Sequence, residues 1–125
     1  MTINSSSEVL FELPEPSGWV GQPARVSLDG STAMLKLATP GGRILAIEFQ
    51  GVRAFRHMVE QLADPKIVAA SYDKVVSVRS SPWLEDVQAL AEQRGGWAQE
   101  LHHYALFLDG GGSYECVAES WSASP

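Results

Sequence analysis

The chain has 125 residues, of which 45% are hydrophobic and 19% are charged, and its formal net charge is −6. This size and composition fit one globular domain with a core of its own. The negative charge argues against non-specific binding to nucleic acid or to an anionic membrane, because both need a basic protein surface. A basic protein partner remains compatible with it.

Both ends of the sequence are small and polar. We predict a flexible arm over residues 1–8, a single domain over 9–121 and a flexible tail over 122–125. The first eight residues lack the basic and apolar parts of a signal peptide, and no apolar run reaches membrane-spanning length. The cytoplasm is therefore the expected location.

Apolar and polar residues alternate along much of the first half of the chain, as they do in half-buried strands. Turn residues such as Asp29-Gly30-Ser31 separate the alternating segments. The pattern predicts strands or extended segments over 9–13 (as an edge strand or a covering segment), 24–29, 32–37, 43–49 and 52–56.

Residues 57–70 allow two interpretations. Residues 57–63 could form two helical turns that stop at Asp64-Pro65, or they could be an irregular loop. A strand over 72–78 is predicted to follow.

Ser81 and Pro82 begin the clearest helical pattern. Serine is a good N-cap, and proline fits the first turn. The helix is predicted to end at Gly95-Gly96. Its apolar stripe has helical spacing and consists of Trp83, Val87, Leu90 and Ala91.

The strongest pattern lies near the C-terminal end, where aromatic and branched residues flank Asp109-Gly110-Gly111-Gly112. The glycines supply the positive φ angles of a tight reversal, so the pattern predicts a β-hairpin. The preferred register has a loop of two or four residues and places Phe107 opposite Tyr114, whereas a three-residue loop would shift the register by one. The second arm then faces the core with Tyr114, Cys116 and Ala118 and faces solvent with Glu115 and Glu119.

Together these elements predict an α+β fold. We expect one curved antiparallel sheet of about six to seven strands. One main helix is expected before the C-terminal hairpin, packed on a face of the sheet or across its end.

The sequence carries no strong motif for chemistry. His102 and His103 would point to opposite faces of a strand, and no cluster of cysteine or histidine accompanies them, so we predict no metal site. The glycines at 110–112 lack the helix and the lysine of a phosphate loop. We therefore predict no cofactor and no catalytic residue, and we consider an enzyme less expected than a binding protein.

A small-ligand pocket at the mouth of the sheet is nevertheless an alternative. Its candidate lining consists of Arg53, His103, Tyr104 and Cys116. Cys116 is the only cysteine and is also expected as a small core residue. The arginines at 53 and 56 are expected to pair with the protein's own carboxylates rather than to clamp an anion.

Several residues are candidates for binding a protein partner. Tryptophans outside the helix lie at loop or terminal positions, where such residues often anchor interfaces, including interfaces between identical chains. Surface carboxylates would steer a basic partner toward them. The candidate set is Trp19, Trp97, Glu115, Glu119 and Trp121.

Five short segments resemble a family of small uncharacterised bacterial domains. They are Val52-Arg53-Ala54-Phe55-Arg56, Tyr72-Asp73, Ser81-Pro82-Trp83-Leu84, His103-Tyr104 and Tyr114-Glu115-Cys116-Val117-Ala118, and the resemblance spans residues 44–121. Some members of that family are similar to immunity proteins of contact-dependent toxin systems. The resemblance implies no catalytic residues.

The sequence thus predicts a small, non-catalytic cytoplasmic bacterial protein that binds another protein, with an immunity protein as one specific form. The alternative is a small-ligand-binding domain or a minor enzyme. Self-association is a third possibility.

Overall fold

The computed structural model describes residues 7–17, 24–39, 41–95 and 100–124, and the structural statements below concern these residues. They contain a short 3-10 turn, Glu60–Leu62, and two α-helices, α1 (Pro65–Ser71) and α2 (Pro82–Gln93). The strands are β1 (Ser7–Glu12), β2 (Arg25–Asp29), β3 (Thr32–Ala38), β4 (Ile44–Gln50), β5 (Ala54–Met58), β6 (Lys74–Val78), β7 (His102–Leu108), β8 (Gly112–Ala118) and β9 (Ser120–Ser124).

The strands form two antiparallel sheets that pack face to face. The five-stranded sheet has the order β1-β6-β7-β8-β5, and the four-stranded sheet has the order β2-β3-β4-β9. Their facing sides share one apolar core, which includes Leu35, Ile47 and Phe49 from the four-stranded sheet and Tyr104, Leu106 and Cys116 from the five-stranded sheet.

The helices cover the other side of the five-stranded sheet, which we call the outer face. Val76, Val78 and Ala105 form a second, smaller apolar cluster there, against Ile67 of α1. Trp83 of α2 meets the ring of His103 edge-on, with 5.0 Å between the ring centroids. The molecule therefore has three layers: four strands, five strands and helices.

The burial of each strand follows from its place in these layers. Ala33, Leu35 and Leu37 of β3 are buried, while Lys36 between them is exposed, because alternate side chains point to opposite sides of a strand. All seven residues of β8 are buried, since the second sheet covers one face and the helical layer the other.

The predicted α+β class is confirmed, but the single sheet of six to seven strands is wrong. Alternation marks where strands lie and does not say which strands pair, so it could not separate two sheets of five and four strands. The prediction also placed a flexible tail at 122–125. In the structure β9 runs to Ser124 and pairs with β4, from Gln50↔Ser120 to Ala46↔Ser124.

The ambiguous segment 57–70 contains a helix that starts where the sequence suggested a stop. Asp64 is the N-cap of α1, its side chain accepts a hydrogen bond from Lys66 N at 2.8 Å, and Pro65 occupies the first helical turn. An aspartate followed by a proline is a start signal as well as a stop signal. Residues 57 and 58 belong to β5.

The preferred hairpin register is wrong, and the three-residue alternative is observed. Leu108 pairs with Gly112, so the loop is 109–111 and Tyr104 lies opposite Cys116. Both Gly110 and Gly112 have positive φ, of 78° and 93°. Three consecutive glycines allow either loop length, so local sequence alone does not select the register.

Candidate functional site

A polar cluster lies on the outer face of the five-stranded sheet, beneath the first turn of α2. The observed hairpin register places His103 of β7 and Glu115 of β8 on this face. Arg56 of β5 lies directly opposite Glu115 in the neighbouring strand pair. Ser81, the N-cap of α2, completes the cluster from above.

Hydrogen bonds connect these four side chains in series. Ser81 Oγ lies 2.7 Å from His103 Nδ1, and His103 Nε2 lies 2.6 Å from Glu115 Oε1. Arg56 donates to the same carboxylate oxygen at 2.9 Å. Ser81, His103 and Glu115 are 4%, 2% and 2% exposed, whereas 37% of the Arg56 side chain is exposed, so the network meets bulk solvent mainly through Arg56.

The carboxylate of Glu115 is kept charged by its neighbours. Burial alone would raise the pKa of Glu115, but the hydrogen bonds from His103 and Arg56, together with the charge of Arg56, outweigh burial and lower it. Ser113 Oγ donates to the other carboxylate oxygen at 3.3 Å. These hydrogen bonds and the charge of Arg56 offset the free-energy cost of burying the Glu115 carboxylate.

The first turn of α2 is fixed to this cluster. The guanidinium carbon of Arg56 lies 3.9 Å from the centroid of the Trp83 ring, within the range of a cation–π contact. Ser81 Oγ also accepts a hydrogen bond from Leu84 N at 3.0 Å, which caps the helix. The Ser81 hydroxyl therefore serves the helix and the buried histidine at once.

A cleft of about 310 Å³ opens beside the cluster, between α1, the end of β6 and the start of α2. Ser80 at its edge has φ of 53°, a left-handed conformation that is uncommon for a residue other than glycine. Strained backbone of this kind is often found at functional sites. The charged lining residues are Arg56, Asp64, Lys66 and Arg79, and Ser81 and His103 also reach the cleft.

The order hydroxyl, imidazole, carboxylate is the order of groups in a serine nucleophile relay. Ser81 Oγ–H can donate to Nδ1 of His103 while Nε2–H donates to Glu115, which is a consistent set of proton positions.

In the described residues no group of three or more histidine, cysteine, aspartate or glutamate side chains has the geometry of a metal site.

A second surface feature is the solvent-facing side of α2. None of its twelve residues is buried, and Leu90 is 49% exposed. Glu85, Asp86 and Glu92 are exposed around it. A shallow depression is lined by Asp86, Ala89, Leu90, Glu92 and Gln93. The apolar stripe predicted for this helix is therefore only partly covered by the sheet.

The four pocket candidates from the sequence do not meet in one cavity. Tyr104 and Cys116 lie in the core between the sheets, and His103 lies on the opposite, outer face. Burial raises the pKa of Tyr104 to about 12, and burial followed by the charge of Glu115 raises the pKa of the Cys116 thiol. Arg53 forms an ion pair with Glu119 at 2.8 Å, as expected for an arginine paired with the protein's own carboxylates.

The partner-binding candidates have different positions. Trp19 and Trp97 lie outside the described residues. Glu115 is buried, so the prediction that it faces solvent is wrong: it lies on the outer face of the sheet, but His103, Arg56 and the first turn of α2 cover it there. Trp121 of β9 is half-buried and packs against Phe11, with 6.0 Å between the ring centroids.

Sequence reasoning missed the roles of Arg56 and Ser81 in the cluster. It identified Ser81 only as a helix N-cap. The three-residue loop was the available signal, because that register puts His103 and Glu115 on one face of the hairpin, where Arg56 and Ser81 contact them.

No family model, curated protein or solved structure matches the chain. The resemblance to immunity-like bacterial domains therefore stays a prediction. None of the helices in the described part of the chain is long and apolar enough to cross a membrane.

Proposed function

We propose that the protein is a non-catalytic binding module that recognises a basic protein partner through the exposed side of α2. The observation that supports this proposal is that α2 buries none of its residues, although its sequence carries a full apolar stripe. Trp83, Val87 and Ala91 of this stripe are partly buried and Leu90 is exposed, so part of its apolar surface is left for a partner.

The charge around this surface indicates the chemistry of the partner. Residues 82–93 contain Glu85, Asp86 and Glu92 and no lysine or arginine, in a chain with a net charge of −6. A partner with a basic rim and an apolar centre would match this helix, and the long-range attraction would accelerate its approach. An immunity protein that covers the basic cleft of a toxin is the specific form that the resemblance implies.

A pair of charge-matched variants tests this proposal. The first replaces the acidic residues of α2 (Glu85→Gln, Asp86→Asn, Glu92→Gln), and the second replaces exposed acidic residues elsewhere (Glu12→Gln, Glu60→Gln, Glu100→Gln). Both change the net charge equally. Tagged wild-type protein and both variants are used to capture partners from a native lysate at low and high salt, with mass spectrometry of the retained proteins.

We expect one basic partner to be retained by the wild type and by the second variant, and to be lost from the first. With that partner purified, the α2 variant should associate roughly tenfold more slowly at low salt, because the steering charges are gone. Equal association rates for both variants would contradict recognition through α2. Capture of no partner by the wild type would contradict the binding function itself.

A second candidate function is favoured by the cleft beside Ser81, and it is a small-ligand site or a minor enzyme. The Ser81–His103–Glu115 series supports it, and so does Arg56 Nε, a buried donor with no hydrogen-bond partner within the described residues. In this case Ser81 Oγ would attack an electrophile in the cleft while His103 Nδ1 accepts the hydroxyl proton.

A fluorophosphonate probe tests the second candidate directly. Attack by Ser81 Oγ would form a bond to phosphorus and release fluoride, with the hydroxyl proton passing to His103. We expect labelling that peptide mapping places on Ser81, that Ser81→Ala removes and that Ser71→Ala, a change at a buried serine whose hydroxyl donates to Ile67 O outside the cluster, leaves in place. A native protein that stays unlabelled while a control serine hydrolase reacts would rule out an activated serine.

A further inference from the structure

The edge strand β2 has an unusual surface. It is the first strand of the four-stranded sheet and pairs on one side only, with β3, as far as the described residues go. All five residues from Arg25 to Asp29 are exposed. An open strand edge presents unpaired backbone groups that can pair with another strand, and natural proteins usually protect such edges.

The side of β2 that faces the core layer is apolar and uncovered. Val26 lies opposite Leu35, and Leu28 lies opposite Ala33. Leu35 and Ala33 are fully buried, whereas Val26 is 40% and Leu28 is 61% exposed. Neither Val26 nor Leu28 belongs to an apolar cluster among the described residues. The second sheet thus covers β3 and leaves the two apolar residues of β2 open.

The sequence of β2 is complementary to itself when read in the opposite direction. Arg25 and Asp29 stand two residues to either side of Ser27, and Val26 and Leu28 stand one residue to either side. In an antiparallel pair of two identical strands centred on Ser27, Arg25 of each copy would face Asp29 of the other. Val26 would face Leu28 in the same way, on the core side.

We propose that β2 pairs with β2 of a second copy of this chain, antiparallel and with a two-fold axis at Ser27. The contact is isologous, so each pairing occurs twice. It joins two four-stranded sheets into one continuous sheet and covers the exposed Val26 and Leu28 of both copies. A parallel arrangement would instead place Arg25 opposite Arg25, and like charges directly opposite each other are destabilising.

This dimer is independent of the proposed function. The exposed side of α2 belongs to the helical layer, on the far side of the five-stranded sheet from the four-stranded sheet that contains β2. A β2 dimer therefore leaves α2 accessible to a partner, and loss of the dimer should not change capture of a partner through α2.

Charge reversal at the two ends of β2 gives a specific test of the pairing. Arg25→Asp places two carboxylates opposite each other in a homodimer, and Asp29→Arg places two guanidinium groups opposite each other. We expect wild-type protein to dimerise with concentration in sedimentation equilibrium, and each variant to dimerise roughly tenfold more weakly, since cross-strand charge pairs are individually modest. Circular dichroism checks that both variants are folded.

A mixture of the two variants gives the decisive measurement. In a heterodimer of Arg25→Asp with Asp29→Arg, opposite charges face each other again at both ends. We therefore expect the equimolar mixture to recover dimerisation close to the wild-type value, and the double variant to do the same alone. Arg94→Asp, at an exposed position outside β2, is the control and should dimerise like the wild type.

Two results would overturn the proposal. One is a wild-type protein that stays monomeric throughout the concentration range. The other is a dimer that the single variants do not weaken, or that their mixture does not restore, because either outcome would place the contact elsewhere. Recovery of the dimer in the mixture identifies both the strand and its register, whereas a dimer mass for the wild type would identify neither.

Discussion

Glu115 is almost completely shielded from solvent, and three side chains hold its two oxygens: His103, Arg56 and Ser113. A carboxylate in such a place is stable only while its partners remain, because an uncompensated buried charge is costly. Arg56 keeps part of its side chain, 37%, in contact with solvent, so it can be rehydrated if the carboxylate is lost. Glu115 is therefore more sensitive than Arg56 to a change in the cluster.

Glu115→Gln is expected to lower the free energy of unfolding by about 2 kcal/mol at pH 7, since hydrogen bonds to a charged group are lost in a buried site. Glu119→Gln is the control. Glu119 also pairs with an arginine, but both side chains of that pair are about one-third exposed, and such pairs contribute about 0–1 kcal/mol. Urea unfolding of the three proteins measures the difference, and equal losses in both variants would contradict the argument from burial.

The same variant has a defined pH dependence. The pKa of Glu115 is lower in the folded protein than its ordinary value of 4.5. The stabilisation from its charge is therefore fully present above pH 4.5 and is lost as the pH falls through the lowered pKa. The stability difference between wild type and Glu115→Gln should shrink on acidification. A difference that stays constant or grows toward low pH would contradict a lowered pKa.

The β7–β8 hairpin shows what an element contributes beyond its pattern. Gly112 has φ of 93°, and a Cβ atom added to it would lie 2.5 Å from the carbonyl oxygen of Met58 in β5 and 2.9 Å from His57 Nε2. Gly110 also has positive φ, of 78°, but a Cβ atom there would meet no atom within 4 Å. A substitution at Gly110 therefore tests only the backbone conformation of the turn, whereas a substitution at Gly112 also tests the close packing of the turn against β5.

Gly110→Ala is therefore expected to cost about 1–2 kcal/mol, the usual penalty of a left-handed conformation for a residue with a Cβ atom. Gly112→Ala should cost about 3 kcal/mol or more, because a backbone contact with Met58 is added to the same penalty. Thermal or urea unfolding of the two variants gives the comparison. Equal losses would show that β5 moves aside without cost.

How much of these elements can be predicted depends on the range of the interactions that determine them. Alternation and capping are local, so the strands of residues 24–49 and the start of α2 at Ser81 follow from the sequence. The hairpin register does not, because the glycines of residues 110–112 permit several loop lengths. Arg56 and Glu115, 59 residues apart, pair only in the observed arrangement, and nothing local encodes that pairing. The polar cluster was missed for the same reason.

At the scale of the whole molecule, the first and last described strands belong to different sheets. β1 is an edge of the five-stranded sheet, and β9 is an edge of the four-stranded sheet. Phe11 of β1 and Trp121 of β9 pack together with 6.0 Å between their ring centroids, and Trp121 also lies beside Phe49 in the β4–β9 pair. This contact joins the two sheets near the ends of the chain. The sequence pattern does not predict this contact, because it places Trp121 at the end of the predicted domain, before a flexible tail.

Trp121→Ala is expected to lower the free energy of unfolding by about 2–3 kcal/mol, less than a fully buried tryptophan would, because Trp121 is only half-buried. Trp121→Phe keeps an aromatic ring against Phe11 and should recover most of the loss. Urea unfolding measures both. If Trp121 instead serves mainly as an anchor for a protein partner, both variants will remain as stable as the wild type and will lose the captured partner. A stable Trp121→Phe variant that still captures the partner would assign Trp121 to the joint between the sheets.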